Sequence, residues 1–239
     1  MLELVDVTKE YATRAGRLRV LDNVSVRLEK GQRLAVLGKP GSGKSALIRI
    51  LSGVEPPTAG RLVRDMSVSW PIGTSSSLLQ PNLSGLENIR FISRIYGQPL
   101  QETAAFVEDF AEVSRLRDLV STYPRKIKAQ ISFALSLAIE FDCYLIDEKV
   151  EMGEKHFRDK CEQAIEDRWA GKAIFMVSSN AELVRPYCSE VMFLEAGKLS
   201  DRLPIARGSG WRRRLRQIEG VSKATGRARR RRLAGREET

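Results

Sequence analysis

Histidine is the scarcest signal in this 239-residue chain, with His156 the only one. Cysteine is almost as rare. Cys143, Cys161 and Cys188 are an odd number without paired spacing. That excludes a disulfide framework and a Cys/His metal cluster, and reads instead as reduced, mostly buried thiols of a cytosolic protein. No apolar run approaches the roughly 20 residues that cross a bilayer. Met1-Leu2-Glu3-Leu4-Val5 carries an acid and is expected to open a strand, not to act as a signal peptide. No internal repeat stands out. What remains is enough chain and enough apolar residues for one soluble α/β domain with a sizeable core.

Positive charge is abundant but unevenly placed. The net charge is +10. Residues 206–239 hold 12 of the 40 basic side chains against 3 of the 30 acidic ones, which leaves 28 against 27 for the rest. The basic character therefore belongs to the C-terminal end, and a boundary is expected near 206.

Hydrophobic patterning predicts strands at Leu2–Val7, Leu18–Leu28, Arg33–Leu37 and Leu62–Trp70, then a loop over Pro71–Leu83. Helical spacing follows in 86–95, Gln101–Val120 and Ile127–Ile139, and again in Phe157–Trp169. Phe141–Glu148 and Ala173–Ser178 read as buried strands, and Val191–Leu194 with Gly197 as a closing hairpin. The fold class expected is α/β: a mostly parallel sheet with flanking helices, antiparallel strands at the N-terminus and a helical insert over about 83–125.

The chemistry starts at Gly38-Lys39-Pro40-Gly41-Ser42-Gly43-Lys44-Ser45, which matches G-x-x-x-x-G-K-[ST] without a gap. A predicted strand enters it and a predicted helix leaves it. The glycines let successive N–H groups converge on phosphate oxygens, and the helix start adds a positive dipole end. Lys44 reaches the β- and γ-phosphates, and the Ser45 hydroxyl binds Mg²⁺. Asp147 and Glu148 close the buried strand after an apolar run. A P-loop site needs an acid there to hold Mg²⁺, assigned to Asp147, and a group beside it to position the attacking water, assigned to Glu148. Tyr11 is read in a short polar loop, where a ring can stack on adenine.

With Tyr11, the P-loop and Gln80 in that order, the chain resembles the ATP-binding subunit of an ABC transporter over about Leu2 to Leu199. Trp70-Pro71-Ile72-Gly73, Leu83-Ser84-Gly85, Glu87-Asn88, Arg94-Ile95-Tyr96-Gly97 and Phe157-Arg158-Asp159-Lys160-Cys161 are similar to the branch that exports capsular polysaccharide. The resemblance implies ATP and Mg²⁺ as ligands, and Gln80 as a catalytic residue that also reaches the metal. It implies a homodimer or heterodimer of cassettes, each closing the other's P-loop with a signature segment. It also implies a membrane-spanning partner subunit, and a peripheral place on the cytoplasmic face of the plasma membrane.

Three positions depart from that pattern. The signature, L-S-G-G-Q or in this branch something like Y-S-S-G-M, reads Tyr123-Pro124-Arg125-Lys126-Ile127 here. Proline has no N–H to donate, and a lysine side chain stands where a phosphate must approach the backbone. The histidine after the last core strand is Ser179; Glu154 stands where the family usually has Asp. ATP binding is therefore expected to be retained, with hydrolysis slow in a homodimer. The rival reading is an ATP-binding regulatory subunit that does not turn over. For the Arg-rich end, three readings stay open: a solvated terminus, anionic-lipid contact with Trp211 as interfacial anchor, and nucleic-acid binding, the last in third place.

Overall fold

The buried strands of a parallel sheet must be apolar on both sides, and here the two sides pack against different layers. The computed structural model describes residues 1–73, 78–147, 155–206 and 210–215. The chain opens with the hairpin β1 (Leu2–Thr13) and β2 (Gly16–Leu28), enters the core on β3 (Arg33–Leu37), and turns through helix α1 (Lys44–Leu51) into β4 (Ala59–Arg64) and β5 (Val68–Gly73). Helices α2 (Gly85–Ile95), α3 (Leu100–Ala111) and α4 (Arg125–Ala138) precede β6 (Cys143–Asp147). Then come α5 (Lys155–Arg168), β7 (Ala173–Ser178), α6 (Ala181–Val184), β8 (Glu190–Glu195), β9 (Lys198–Leu199) and β10 (Leu203–Pro204).

The core sheet runs β8-β3-β7-β6-β5, all parallel, with β10 and β9 added antiparallel to β8. A separate antiparallel sheet runs β2-β1-β4. Alternation along the core strands divides two apolar clusters. Leu34, Val36, Phe175 and Leu145 face the antiparallel sheet and α1; Leu37, Ile174, Met176 and Ile146 face α3, α4 and α5. The expected α/β architecture is the observed one. Cys143, Cys161 and Cys188 are free and buried, and burial pushes each thiol up to about 12, so they are inert packing groups.

Three expectations are corrected. The single strand over Leu62–Trp70 is two strands in two sheets. Its break is set by tertiary bonds: the Asp65 amide donates to the Met1 carbonyl at 2.8 Å, and the Ser67 carbonyl accepts from Cys143 at 3.0 Å. The second strand continues through Pro71 to Gly73, into the stretch expected to be loop. The helix expected over Gln101–Val120 ends at Ala111. Glu112 turns left-handed at φ 55°, Val113 N–H donates to the Glu108 carbonyl at 3.1 Å, and buried Val113 completes the cap, a geometry usually marked by glycine.

The third correction concerns the C-terminal end. Trp211 is 2% exposed and joins the cluster that contains Cys188, Val191 and Phe193. Leu215 packs against the same cluster, and Arg214 pairs with Glu195 at 3.0 Å. The ring is sequestered, so it does not serve as an interfacial anchor.

Candidate functional site

Ligands of open α/β sheets bind outside the carboxyl ends of the strands. Register aligns those ends here. Leu37 pairs with Ser178, Val177 with Asp147, and Asp147 with Gly73. The P-loop follows β3, Ser179 follows β7, Asp147 ends β6, and Gln80 lies beyond β5. Three of the expected site segments, the P-loop, Ser179 and Asp147, are thus brought to one rim.

The P-loop is tightly held. Gly38 N–H donates to the Ser178 carbonyl at 3.1 Å, and a Cβ on Gly38 would stand 2.9 Å from the Leu194 carbonyl oxygen. Gly43 adopts φ 107°, and a Cβ there would lie 2.6 Å from the Val20 carbonyl oxygen, so β2 packs on the loop. Only glycine combines that dihedral with that approach. Lys44 Nζ donates to the carbonyls of Gly38 at 2.7 Å and Lys39 at 3.0 Å, laying a buried ammonium across the loop. Helix α1 begins at Lys44 with no capping side chain and no acid in its first turn. A helix start of that kind, with its positive dipole end, suits an anion.

The residues fit a nucleotide with Mg²⁺. Ser42 Oγ is buried and has no hydrogen-bond partner among the described residues, as suits a cradle completed by ligand oxygens. Ser45 is exposed at the start of α1, and Asp147 is nearly buried at the end of β6. Among the described residues no group of three or more His, Cys, Asp and Glu is placed to hold a metal. One hydroxyl and one carboxylate suit an ion whose remaining ligands are phosphate oxygens and water.

Gln80 is exposed, and its main chain is clamped by Asn88, a residue whose role sequence reasoning missed. Asn88 Oδ1 accepts from Gln80 N–H at 2.7 Å, and its Nδ2 donates to the carbonyls of Gln80 at 3.1 Å and Ser84 at 2.9 Å. Ser84 and Glu87 form a capping box that starts α2. Tyr11 is not in a loop. It lies within β1, opposite Leu18 of β2, half-buried, with its hydroxyl tied to Glu55 and Arg49. Glu148 and Glu154 lie outside the described residues. Ser179 is exposed just past β7. Pro124 is the N-cap of α4, whose first turn holds Arg125, Lys126 and Lys128 with no acid and no capping side chain. His156 is an exposed residue of α5 beside Glu112, at 3.3 Å, and takes no part in this rim.

These features define a class: a nucleotide-binding cassette built on a P-loop at the carboxyl rim of a parallel sheet. The comparisons narrow it. The family model for the ABC transporter matches residues 21–151. The capsule polysaccharide export ATP-binding protein CtrD of Neisseria meningitidis serogroup B is 43% identical over 200 residues, covering 83% of this chain and 92% of that one. The ATP-binding protein BexA of Haemophilus influenzae is 40% identical, covering 82% and 91%. The dimeric MJ0796 cassette in a post-hydrolysis state bound to ADP and Pi superposes with a TM-score of 0.71 over 86% of this chain and 99% of its own, at 19% identity, a likeness of fold. This chain belongs to the ABC transporter family as an ATP-binding subunit. Cassettes of this family bind ATP with Mg²⁺, dimerise and work with membrane-spanning subunits.

Proposed function

We propose that this chain drives export of capsular or related surface polysaccharide, as one of two cassettes engaged with a membrane-spanning subunit on the cytoplasmic face of the membrane. The observation that carries this reading is the 43% identity to the capsule polysaccharide export ATP-binding protein CtrD over 83% of the chain. In the described residues no helix is long and apolar enough to cross a membrane, so the pathway itself is assigned to the partner.

The site's own groups divide the work. The loop N–H groups from Gly38 to Ser45 and the Lys44 ammonium take the β- and γ-phosphates. Ser45, Asp147 and Gln80 hold Mg²⁺, which offsets charge between the phosphates. Glu148 and Gln80 are the groups assigned to orienting the attacking water. The Tyr11 ring meets adenine. Arg212 and Arg213, exposed on the last described turn, begin a basic segment read as a contact for anionic lipid rather than nucleic acid.

Binding and turnover separate at the other half of a composite site. Pro124 and Lys126 remove a hydroxyl donor and a close backbone approach that this chain would lend its partner, and Ser179 replaces an imidazole. A loss of one preorganised donor costs about 10²–10³ in rate. A homodimer therefore binds ATP and hydrolyses it slowly. The second reading, a non-hydrolysing regulatory cassette, is favoured by the same two positions. ATP turnover of the chain alone, and of the chain co-purified with its membrane subunit, tests both. Turnover in the complex supports the motor, and none supports the regulator. Ordinary transporter rates from the chain alone, abolished by Glu148→Gln, would overturn the slow-homodimer reading.

A further inference from the structure

Three hydrogen bonds close a ring around the Tyr11 hydroxyl. Tyr11 Oη donates to Glu55 Oε2 at 2.9 Å. Arg49 Nη2 donates to Tyr11 Oη at 2.9 Å, and Arg49 Nε donates to the same Glu55 oxygen at 2.9 Å. The other carboxylate oxygen pairs with Lys9 Nζ at 2.9 Å, and that ammonium also donates to the Pro56 carbonyl at 2.8 Å. Lys9 and Tyr11 are two apart on β1 and so share a face, and Lys9 Nζ stands 5.2 Å from the centroid of the Tyr11 ring.

The four residues come from three elements. Lys9 and Tyr11 lie on β1, Arg49 is in the last turn of the P-loop helix, and Glu55 follows that helix. A tyrosine held only by its strand would move with the hairpin. This one is referenced to α1, five residues beyond Lys44, about 7.5 Å along the axis. The network fixes the distance and tilt between the ring and the phosphate cradle. Glu55 is the hub. Burial pushes its carboxyl up, but hydrogen bonds from Lys9, Arg49 and Tyr11 outweigh that and hold its pKa at about 2, so it stays charged.

We propose that Glu55, with Arg49 and Lys9, is a positioning residue for base recognition: its carboxylate clamps the Tyr11 hydroxyl and presets the ring plane on which the base of the nucleotide is read. This rests on the reading that Tyr11 meets adenine. The gain is preorganisation, because a locked ring loses no further freedom when a base stacks on it. Simple stabilisation of the turn at Glu55 would make the same bonds, but it would not distinguish a ligand with a base from one without.

The test uses the full chain with Mg²⁺ and compares calorimetric affinity for ATP and for inorganic triphosphate, which carries phosphates and no base. Glu55→Gln keeps the shape and removes the charge. It is expected to weaken ATP about 3–10-fold and to leave triphosphate within about twofold. Tyr11→Phe, which keeps the ring and loses the hydroxyl, is expected to match it. Tyr11→Ala is expected to cost ATP roughly tenfold to a hundredfold. Equal weakening of both ligands by Glu55→Gln, or no change in either, overturns the proposal. Unchanged ATP affinity in Tyr11→Ala overturns instead the base reading on which it rests. Far-UV circular dichroism and thermal unfolding confirm that each variant is folded.

Discussion

The backbone amide of Ser121 donates to the carbonyl of Pro81 at 2.8 Å. Pro81 follows Gln80, and Ser121 leads through Tyr123 to Pro124. The ladder continues with Val120 N–H on the Leu83 carbonyl at 2.9 Å and Leu86 N–H on the Leu116 carbonyl at 2.7 Å. The segment that carries Gln80 and the segment that leads to the signature position are therefore one hydrogen-bonded piece. Tyr123 Oη pins its far end by donating to the Arg115 carbonyl at 2.6 Å.

Asn88 holds the near end of that piece. Asn88, itself buried, holds all three groups, so Asn88→Ala would leave the Gln80 amide and two carbonyls without their side-chain partner. A destabilisation of about 2–3 kcal/mol is expected. ATP affinity, set at the P-loop, should fall less than turnover in the complex with the membrane subunit. Urea unfolding gives the first quantity, and nucleotide titration beside phosphate release gives the second. A variant with unchanged stability would remove the clamp from consideration.

The P-loop makes a sharper demand. Gly43→Ala places a Cβ 2.6 Å from the Val20 carbonyl oxygen at φ 107°. The dihedral strain alone costs about 1–3 kcal/mol, and the loop must shift as well. Loss of binding to a fluorescent ATP analogue is expected even where the fold survives. Lys44→Ala removes both bonds across the loop and the charge facing the phosphates, and should weaken binding by at least about a hundredfold. Retained micromolar-range binding in Lys44→Ala would place the nucleotide elsewhere.

Restoring the signature tests the account of slow hydrolysis. Pro124→Ser with Lys126→Gly returns a hydroxyl donor and a close backbone approach at the start of α4. Homodimer turnover should rise by about 10² or more, with further gain on adding Ser179→His. ATP affinity of the isolated chain should hardly move, because these groups serve the partner's nucleotide. A restored variant no faster than the natural chain would show that the limit lies in another step.

The legible parts of this molecule are those where chemistry restricts the sequence locally. The P-loop could be read because only glycine tolerates its dihedrals and backbone approaches. β6 could be read because a buried strand ending in Asp147 has few other uses. Tyr11 was misplaced because β1 and β2 continue as a polar hairpin beyond the core, where alternation leaves no apolar mark. Asn88, Arg49 and Glu55 look like solvated polar residues in sequence. Glu55 meets Tyr11 across 44 positions of chain, a pairing created by folding alone. The end of α3 was missed because Glu112, not glycine, takes the left-handed position.

Acidification should expose the Glu55 hub. Its carboxyl titrates at about 2 in the folded chain against an ordinary value of 4.5. A depressed folded pKa contributes stability that is complete above the unfolded value and is lost as pH falls through the window from about 4.5 to about 2. Glu55→Gln should therefore be less stable than the natural chain at pH 7, and the gap should close across that window. Urea midpoints at pH 7, 4.5 and 3 measure it. A gap that stays constant would mean that the carboxylate charge contributes nothing there.

Trp211 packs into the core at the start of the basic segment. Its indole is nearly fully buried, and the truncation suggested by charge alone, at 206, would remove it. Trp211→Ala should cost about 3–5 kcal/mol, the range for losing a large aromatic from a core. Truncation after Leu215 keeps Trp211, Leu215 and the Arg214–Glu195 pair, and should leave the urea midpoint unchanged. It also removes 8 basic against 3 acidic residues, half of the net charge of +10, so sedimentation with vesicles of anionic lipid at low salt should fall in this truncation and not in Trp211→Ala. Loss of stability on cutting after Leu215 would show that residues beyond it are part of the packed body. Unchanged vesicle binding would remove the lipid reading of the basic segment while leaving the cassette assignment untouched.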